Sequence, residues 1–408
     1  MNFIDLFAGA GGLSEGFKKA GFTPIAHVES NQSACFTLKT RIAYYYLKNT
    51  NQPEEYYKYL RGEINRKELY SKIPNSLLST VINAFIGKNN SAIFNKIDKF
   101  KGEEDIDLII GGPPCQAYSY IGRAALKHKK RDQRKTLYKH YGKFLERYRP
   151  KFFVFENVPG LKTADNGKHY SALQTYFRKL GYKMDDRELN SYDFGVIQNR
   201  RRLIIIGWRE DIDFSYPEFE KIEHNWTRDD IFSDLEAVKP AHHNRISYYT
   251  IKTPNNYLRN TEIRNGVDFV TQHITRPHNN NDLNIYKLAI KKLQTEGRRL
   301  KNDEIPENQR TQQNVEDFLD RFKVIDILPH TMIAHIAKDG HHFIHPDIKQ
   351  LRSISVREAA RIQSFPDDFY FEGIKEKQPR TAAFTQIGNA VPPLMAYKIA
   401  IALRNQLG

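Results

Sequence analysis

A cysteine at a rigid turn is the first feature of this sequence that could carry chemistry. Cys115 follows two prolines in the stretch GGPPCQAYS, directly after IDLII, an apolar run typical of a buried strand. Proline removes backbone freedom, so the thiol would be fixed in position before a substrate arrives. A lone cysteine is more often a packing residue than a nucleophile. The polar residues expected beside Cys115 favour the nucleophile.

Two further stretches are expected to bring polar groups to the same place. FENVPG ends an apolar run, so Glu156 should emerge at the carboxyl edge of a parallel sheet, where Cys115 also lies. QNRRRL precedes another run, and strand alternation puts Gln198, Arg200 and Arg202 on one side. A thiol, a carboxyl group and two guanidinium groups form a catalytic set, in which the guanidinium groups would favour the thiolate.

A glycine-rich turn near the start of the chain predicts a cofactor site. The stretch DLFAGAGG reads as a strand, a turn and the start of a helix, and glycines let the backbone approach a ligand closely. Glu29 ends the next apolar run, where a carboxylate can accept bonds from both ribose hydroxyls. Ser14 replaces the third glycine of the dinucleotide fingerprint, so a nucleoside cofactor without a pyrophosphate is favoured. A turn without any ligand is the alternative.

The elements that would position these groups alternate along the first two hundred residues. Strand-like runs at 3–7, 24–29, 106–112, 151–157 and 202–208 are separated by helical stretches. This order predicts an α/β fold with a doubly wound, mostly parallel, Rossmann-like sheet. We expect a large catalytic domain at 1–210 with a helical insertion at about 41–95, a smaller irregular domain at 211–377, and a C-terminal helix at 378–408 that returns to the large domain.

The charge balance indicates a polyanionic partner. The 408 residues include 63 Lys and Arg against 48 Asp and Glu, a net charge of +15. Phosphate contacts by such a surface would release counterions, which favours this interpretation over the alternative of a generally basic composition. Two cysteines, no long apolar run and no leader-like start predict a cytoplasmic protein without a membrane span.

Two biased stretches invite a functional interpretation. Residues 121–135 hold seven Lys or Arg and one Asp, which favours contact with phosphates over a merely solvated face. The stretch AHIAKDGHHFIHPD contains His341, His342 and His345, but no cysteines or acids at ligand spacing accompany them. We therefore expect no metal, and we assign this stretch to a loop of the second domain.

Taken together and in order, these motifs resemble a known family. DLFAGAGG, HVES, GGPPCQAYS, FENVPG, QNRRR, RSISVREAARIQSFPDDF and QIGNAVPP resemble the C5-cytosine-specific DNA methyltransferases of bacterial restriction-modification systems. The resemblance covers nearly the whole large domain. It implies the S-adenosylmethionine-dependent methyltransferase fold and a target-recognition role for the second domain. It also implies methyl transfer to C5 of a cytosine flipped out of a specific duplex DNA sequence.

The resemblance assigns a role to each catalytic candidate. Cys115 would attack C6 of the flipped cytosine, and Glu156 would bind the N3 and N4 edge of the protonated ring. Arg202 would contact the cytosine O2. Arg200 would steady Glu156 and the backbone phosphates.

The resemblance also implies binding residues and partners. S-adenosylmethionine would contact Phe7, Gly9, Gly11, Gly12, Glu29, Gly112, Pro114, Leu137, Asn389 and Val391. DNA would contact Gln116, Ser119, Arg123, Lys127, Lys129, Lys130, Arg131 and Gln198. The family's reader of the adenine amine should follow the third strand; the candidate stretch is SAIFNKIDKF, where neither Asn95 nor Asp98 aligns. We expect a monomer acting on double-stranded DNA, with any restriction endonuclease encoded separately.

Three other functions fit parts of the sequence. A tRNA cytosine methyltransferase would share the chemistry, but a large second domain is needless for an RNA recognised by shape. A nucleotide-binding dehydrogenase with an incidental Cys115 conflicts with Ser14 and with the FENVPG and QNRRR motifs. A non-catalytic DNA-binding descendant has little support, because the catalytic residues are all intact.

Overall fold

The large sheet is built from seven strands with short apolar cores. In a computed structural model, residues 1–114, 136–310, 321–377 and 379–407 are described. The strands are β1 Asn2–Leu6, β2 Thr23–Glu29, β3 Val81–Asn83, β4 Leu108–Gly111, β5 Phe152–Asn157, β6 Tyr182–Asn190 and β7 Arg201–Arg209. Their order across the sheet is β3-β2-β1-β4-β5-β7-β6.

The direction of the strands confirms the predicted fold class. β1 pairs in parallel with β2 and β4, β2 with β3, and β4 with β5. β7 runs antiparallel to both β5 and β6. The sheet is therefore doubly wound and mostly parallel, as expected. β6 is a strand that the sequence analysis did not identify, because its sequence YKMDDRELN lacks an apolar run.

Helices cover both faces of this sheet and build the rest of the molecule. They are α1 Gly12–Lys19, α2 Gln32–Asn49, α3 Pro53–Arg61, α4 Arg66–Ser71, α5 Asn75–Ser79, α6 Ser91–Lys101, α7 Leu137–Tyr148, α8 Gly160–Thr163, α9 Lys168–Lys179, α10 Arg228–Phe232, α11 Asn256–Asn260, α12 Asn280–Glu296, α13 Val356–Ile362, α14 Arg380–Asn389 and α15 Pro393–Leu407. Two apolar clusters, one on each face, bury the sheet. One face carries α7 and α9 residues, and the other carries α1 and α15 residues.

The expected insertion at 41–95 is smaller than the sequence suggested. β3 lies inside that range and pairs with β2, so residues 81–83 belong to the main sheet. The excursion proper is formed by α3, α4 and α5. Their tyrosines pack with Phe269 and Tyr370, which ties this helical excursion to the second half of the chain.

The second half of the chain is less irregular than expected. The Asn-rich piece at 278–284 is the start of the 17-residue helix α12, and Asn279 caps it by accepting a bond from the Asp282 amide. Asparagine is favoured at this position because its side chain satisfies a free helical N–H. A two-stranded antiparallel ribbon, β8 Ile246–Tyr248 with β9 Phe269–Thr271, lies nearby.

The last helix, α15, returns to the first. α15 packs on α1, where a Cβ built at Gly16 would overlap the backbone of Ala396 and Tyr397. Glycine at this position allows the two helix axes to come close. Among the described residues, no helix is long and apolar enough to cross a membrane.

Candidate active site

A carboxylate and a guanidinium face each other at the carboxyl edge of the sheet. The Glu156 Oε1 lies 2.8 Å from the Arg202 Nε, and both side chains are largely buried, with exposures of 13% and 11%. A Cβ built at Gly112 would overlap the Glu156 Oε2. Glycine at 112 therefore leaves the room that the carboxylate occupies. Three of the predicted site residues are thus in one place.

Strand direction explains why these residues meet. Glu156 lies near the end of β5, whereas Arg202 lies near the start of β7. In the antiparallel register, Asn157 is opposite Leu203, so the end of β5 and the start of β7 share one edge. A parallel β7 would have put Arg202 at the far edge of the sheet.

Arg200 is buried among backbone carbonyls of distant segments. Its side chain is fully buried, and its guanidinium donates to the carbonyls of Met332 (2.5 Å) and Ala390 (2.8 Å), with a longer bond to Gly388. Arg202 makes the ion pair with Glu156 described above. Arg200 joins the sheet edge to segments more than a hundred residues away, and its expected role of steadying Glu156 and the backbone phosphates stays a prediction.

Gln198 is also placed differently from the prediction that it contacts DNA. It is fully buried, and its amide oxygen accepts the Met332 N–H at 2.8 Å. Its amide nitrogen donates to the Ile362 carbonyl and to the Gln363 side chain. With all these groups paired inside the protein, Gln198 fixes loops around the site. A direct contact of Gln198 with DNA stays a prediction, and the structure shows a supporting role for this side chain.

The glycine turn after β1 forms an open cradle. The φ angles in this turn are positive: 57° at Phe7, 55° at Gly9 and 83° at Gly11. Glycine adopts such angles without strain, which accounts for glycine at two of these three positions. The Gly9 N–H donates to the Glu29 Oε2 at 2.9 Å, and the Asn31 N–H donates to the Glu29 Oε1 at 2.6 Å. These bonds fix the Glu29 carboxylate beside the turn.

The glycines of this turn have different surroundings. A Cβ built at Gly9 would meet no described atom within 4 Å, so space lies in front of this residue. At Gly11 the Cβ would press on Leu38, and at Gly12 it would overlap the Val391 carbonyl. Gly9 is thus the glycine that borders the open space, while the other two are needed for packing.

The C-terminal motif closes one side of the turn. Gln363 donates to the carbonyls of Ile387 and Ala390, which holds the segment after α14 in place. Within that segment Asn389 is exposed and Val391 is buried against Gly12. Val391, a predicted cofactor residue, therefore borders the turn although it is almost 380 positions away in the sequence.

Asn157 and Gln363 are site-supporting residues that the sequence analysis did not single out. The buried Asn157 donates its amide to the Pro113 carbonyl at 3.2 Å, which anchors the PPC turn to the end of β5. The signal was present, since Asn157 belongs to the FENVPG motif and Gln363 to RSISVREAARIQSFPDDF. Their roles depend on burial, which the motifs do not encode.

The remaining predicted residues have the following positions. Pro114 is exposed, and Leu137 is buried as the first residue of α7. Cys115, Gln116, Ser119, Arg123, Lys127, Lys129, Lys130 and Arg131 lie outside the described residues. The stretch SAIFNKIDKF, the candidate for contacting the adenine amine of the cofactor, forms α6. The third strand along the chain, β3, ends earlier, at Asn83. Residues 84–90 therefore follow that strand, and they are the place where such a contact would be sought.

In the stretch AHIAKDGHHFIHPD, the three histidines that invited a metal interpretation, His341, His342 and His345, are largely buried. Burial lowers the pKa of His342 and of His345 to about 4. His341 accepts a bond from or donates one to the Tyr286 hydroxyl at 2.9 Å. Within the described ranges, no group of three His, Cys, Asp or Glu side chains is arranged to hold a metal ion.

Comparisons with known proteins agree with this geometry. The family described as C-5 cytosine-specific DNA methylase matches residues 1–59 and 72–405. The chain is 42% identical to the Type II methyltransferase M.Bpa9945I of Bacillus paralicheniformis, covering 99% of both chains. It is 30% identical to the Type II methyltransferase M.DdeI of Desulfomicrobium norvegicum, covering 98% of this chain and 88% of the relative.

Solved structures show the same fold. A prophage-encoded protein of E. coli, assigned as a DNA modification methyltransferase, superposes with a TM-score of 0.68 at 24% identity and covers 100% of this chain and 99% of its own. The methyltransferase EhMeth of Entamoeba histolytica superposes with a TM-score of 0.55 at 15% identity, with coverage of 100% and 99%.

Proposed function

The chain belongs to the C-5 cytosine-specific DNA methylase family, and from this premise we propose that it methylates C5 of a cytosine flipped out of a specific duplex DNA sequence. The resemblance seen in the motifs is confirmed by the family match. The observation that carries the proposal is the ion pair of Glu156 with Arg202, packed against Gly112 three residues before Cys115.

The chemistry needs a nucleophile next to a proton donor, because C5 of an intact cytosine is a poor nucleophile. The Cys115 thiolate would form a bond to C6, which moves electron density onto C5 and N3. Glu156 would hold the N3 and N4 edge and stabilise the proton on N3. Arg202, fixed by its ion pair, would orient Glu156 and reach the cytosine O2. After C5 is methylated, loss of the C5 proton and departure of the Cys115 thiolate restore the aromatic ring.

The turn after β1 fits S-adenosylmethionine. Gly9 borders open space, Glu29 is held where it can accept from ribose hydroxyls, and Phe7 projects beside the turn on a left-handed backbone. Asn389 and Val391 would complete the site from the other end of the chain. When bound, S-adenosylmethionine would supply an electrophilic methyl group. The residues of this chain would orient it towards the edge that carries Glu156.

The biological role we propose is modification within a restriction-modification system. Its support is the similarity to Type II methyltransferases over almost the full length of the chain. The second half of the chain, with the short ribbon of β8 and β9 and the long α12, would then read the target sequence.

Methyl transfer from labelled S-adenosylmethionine tests the proposal directly. We expect label in duplex DNA, and none with the Cys115→Ser variant. With S-adenosylmethionine present, a duplex carrying 5-fluorocytosine at the target should form a stable covalent adduct with the wild-type protein. Fluorine replaces the C5 proton and cannot leave as a cation, so the thiolate cannot be eliminated after methyl transfer. Label in tRNA without label in DNA would overturn the DNA assignment. Bisulfite sequencing of DNA from a methylation-free host expressing the chain would identify the target.

A further inference from the structure

An open groove of about 650 Å³ lies between α7 and α9, outside the candidate active site. Among its lining residues are three lysines, one histidine and two hydroxyl side chains. They are Lys139, His140, Lys143, Ser171, Thr175 and Lys179. No carboxylate lies among the residues that line it. The groove therefore offers positive charge and hydroxyl donors, with no acid to neutralise them.

Close helix packing builds the floor of this groove. A Cβ built at Gly142 would overlap the ring of Tyr176, so the α9 tyrosine lies directly on the α7 backbone. The Tyr138 and Tyr176 rings meet edge to face, with centroids 6.3 Å apart. The floor is thus aromatic and fixed by both helices, and the charged side chains stand on its rims.

Among the described residues, the lysines of the groove are not engaged in ion pairs, although the Glu146 carboxylate is near enough to help raise the pKa of the floor residue Tyr176. None of Lys139, Lys143 and Lys179 has a carboxylate within ion-pair distance in the part of the chain that the structure describes. The Lys143 Nζ donates to the Lys88 carbonyl at 2.7 Å, which brings a further lysine close. Burial, and then the charges of Lys143, Lys88 and Lys139, lower the pKa of His140. An anion is the ligand that such an environment favours.

The groove begins near the edge of the sheet that carries Glu156. α7 ends three residues before β5 begins, so its first turn points towards the opposite, carboxyl edge. Lys139 and Lys143 lie in the first two turns of α7, within about 10 Å of the helix start at 1.5 Å per residue. A duplex held at the carboxyl edge could therefore continue over the groove.

We propose that the groove between α7 and α9 binds the phosphate backbone of duplex DNA that flanks the target site. This inference rests on the proposed function. Flexible lysine ammonium groups on an open surface suit a continuous phosphate chain, because they act as point charges without a fixed geometry. A free nucleotide would be better held by an enclosed site with backbone N–H groups or arginine forks, and the lining residues provide no arginine.

DNA duplexes of two lengths distinguish binding at this groove from binding at the candidate active site. One duplex would carry only the target and a few base pairs, and the other would extend it by about one helical turn on each side, roughly 10 base pairs. The test variant is K139Q/K143Q/K179Q. The control, K96Q/K99Q/K183Q, removes the same charge from three exposed lysines on α6 and β6. A double variant, K139Q/K179Q, changes only exposed lysines if the triple variant proves unstable.

We expect the wild type and the control to bind the long duplex more tightly than the short one. The groove variants should lose that difference, and the slope of log binding constant against log salt should fall by about 2–3 on the long duplex. Binding and methylation of the short duplex should stay within about twofold of the wild type.

Three results would overturn the inference. These are an unchanged length dependence in the variants, an equal loss on both duplexes, or tight binding of inorganic phosphate at the groove without any length effect. If no protein methylates DNA, the proposed function fails, while the binding data still decide the groove.

Discussion

Arg202 pairs with Glu156 across two antiparallel strands, with 2.8 Å between the Arg202 Nε and the Glu156 Oε1. The pair forms because β7 alone reverses direction beside the parallel β5. It gives the carboxylate a fixed orientation next to the turn that leads to Cys115. Most of the predictions below concern what holds or surrounds this pair.

Removing the charge of Glu156 should damage catalysis more than binding. The E156Q side chain keeps its shape but cannot stabilise a protonated ring, so single-turnover methyl transfer should fall by at least about 10²-fold. Affinity for the target duplex should change by less than about fivefold, measured by fluorescence anisotropy. A transfer rate within tenfold of the wild type would remove Glu156 from the mechanism.

Adding one methyl group at Gly112 should misplace the same carboxylate. A Cβ there would overlap the Glu156 Oε2, so G112A must displace the side chain or the PPC turn. We expect methyl transfer to fall by about 10²-fold, since small misplacements of reacting groups cost that much. G102A is the control for adding a methyl group without an overlap, because a Cβ at Gly102 would meet no atom within 4 Å, although its φ of +55° adds backbone strain that G112A lacks. Equal activities of the two variants would contradict the overlap argument.

Gln198 should behave as a structural residue. Q198A leaves the buried Met332 N–H without its acceptor, so the free energy of unfolding should fall by about 1–3 kcal/mol in urea titrations. The salt dependence of DNA binding should keep its wild-type slope, because no phosphate contact is lost. A shallower salt slope with unchanged stability would support the DNA-contact assignment.

Acid should destabilise the second half of the chain through its buried histidines. Burial lowers the pKa of His345 to about 4, from a usual value of 6.5. Between these two values the unfolded chain binds a proton that the folded protein does not, so stability falls as the pH drops from about 6.5 to 4. The expected loss is about 1–3 kcal/mol from this residue.

The variant H345N isolates this contribution. His345 stacks on Phe232 and accepts a bond from the Asp347 amide through Nδ1, which asparagine can replace in part. Urea unfolding at pH 7.5 and at pH 5 should show a smaller difference for H345N than for the wild type. Identical pH dependences would show that His345 is protonated in the folded protein.

Cys35 should be chemically silent in the folded protein. Burial raises the pKa of its thiol to about 11, and the thiol donates to the Glu29 carbonyl at 3.3 Å. In a C115S background, a thiol reagent at pH 8 should react at least about 10²-fold more slowly with the native protein than with the unfolded chain. Fast labelling of the native C115S variant would contradict this placement.

The sequence predicted the strands that are apolar and missed the one that is not. β1, β4 and β5 are buried on both faces and stand out as short apolar runs, whereas the edge strand β6 is only partly buried and carries charges at five of its nine positions. Helix α12 was missed because its capping asparagines look like a loop. In both cases the element carries polar residues where it faces solvent, and these residues hid the strand or helix from a search for apolar runs.

For the site, the motifs identified the residues but not their partners. Arg200 and Arg202 of QNRRR were both candidates to approach Glu156, and the start of an antiparallel β7 at that edge explains the ion pair of Arg202. Gln198 and Arg200 looked like ligand-binding groups because they are polar. Their burial is decided by Met332, Ala390 and Ile362, which are 132 to 190 residues away and contribute backbone groups that no motif reveals.

The packing of α15 on α1 bears on how this protein is made in the cell. The turn at Gly12 is synthesised first, yet Val391 and the helix that press against it emerge from the ribosome last. A nascent chain would therefore contain the glycine turn before it contains Val391 and α15, the segments that pack against the turn and α1. The turn should therefore reach its final packing only after Val391 and α15 have been synthesised and have docked on α1.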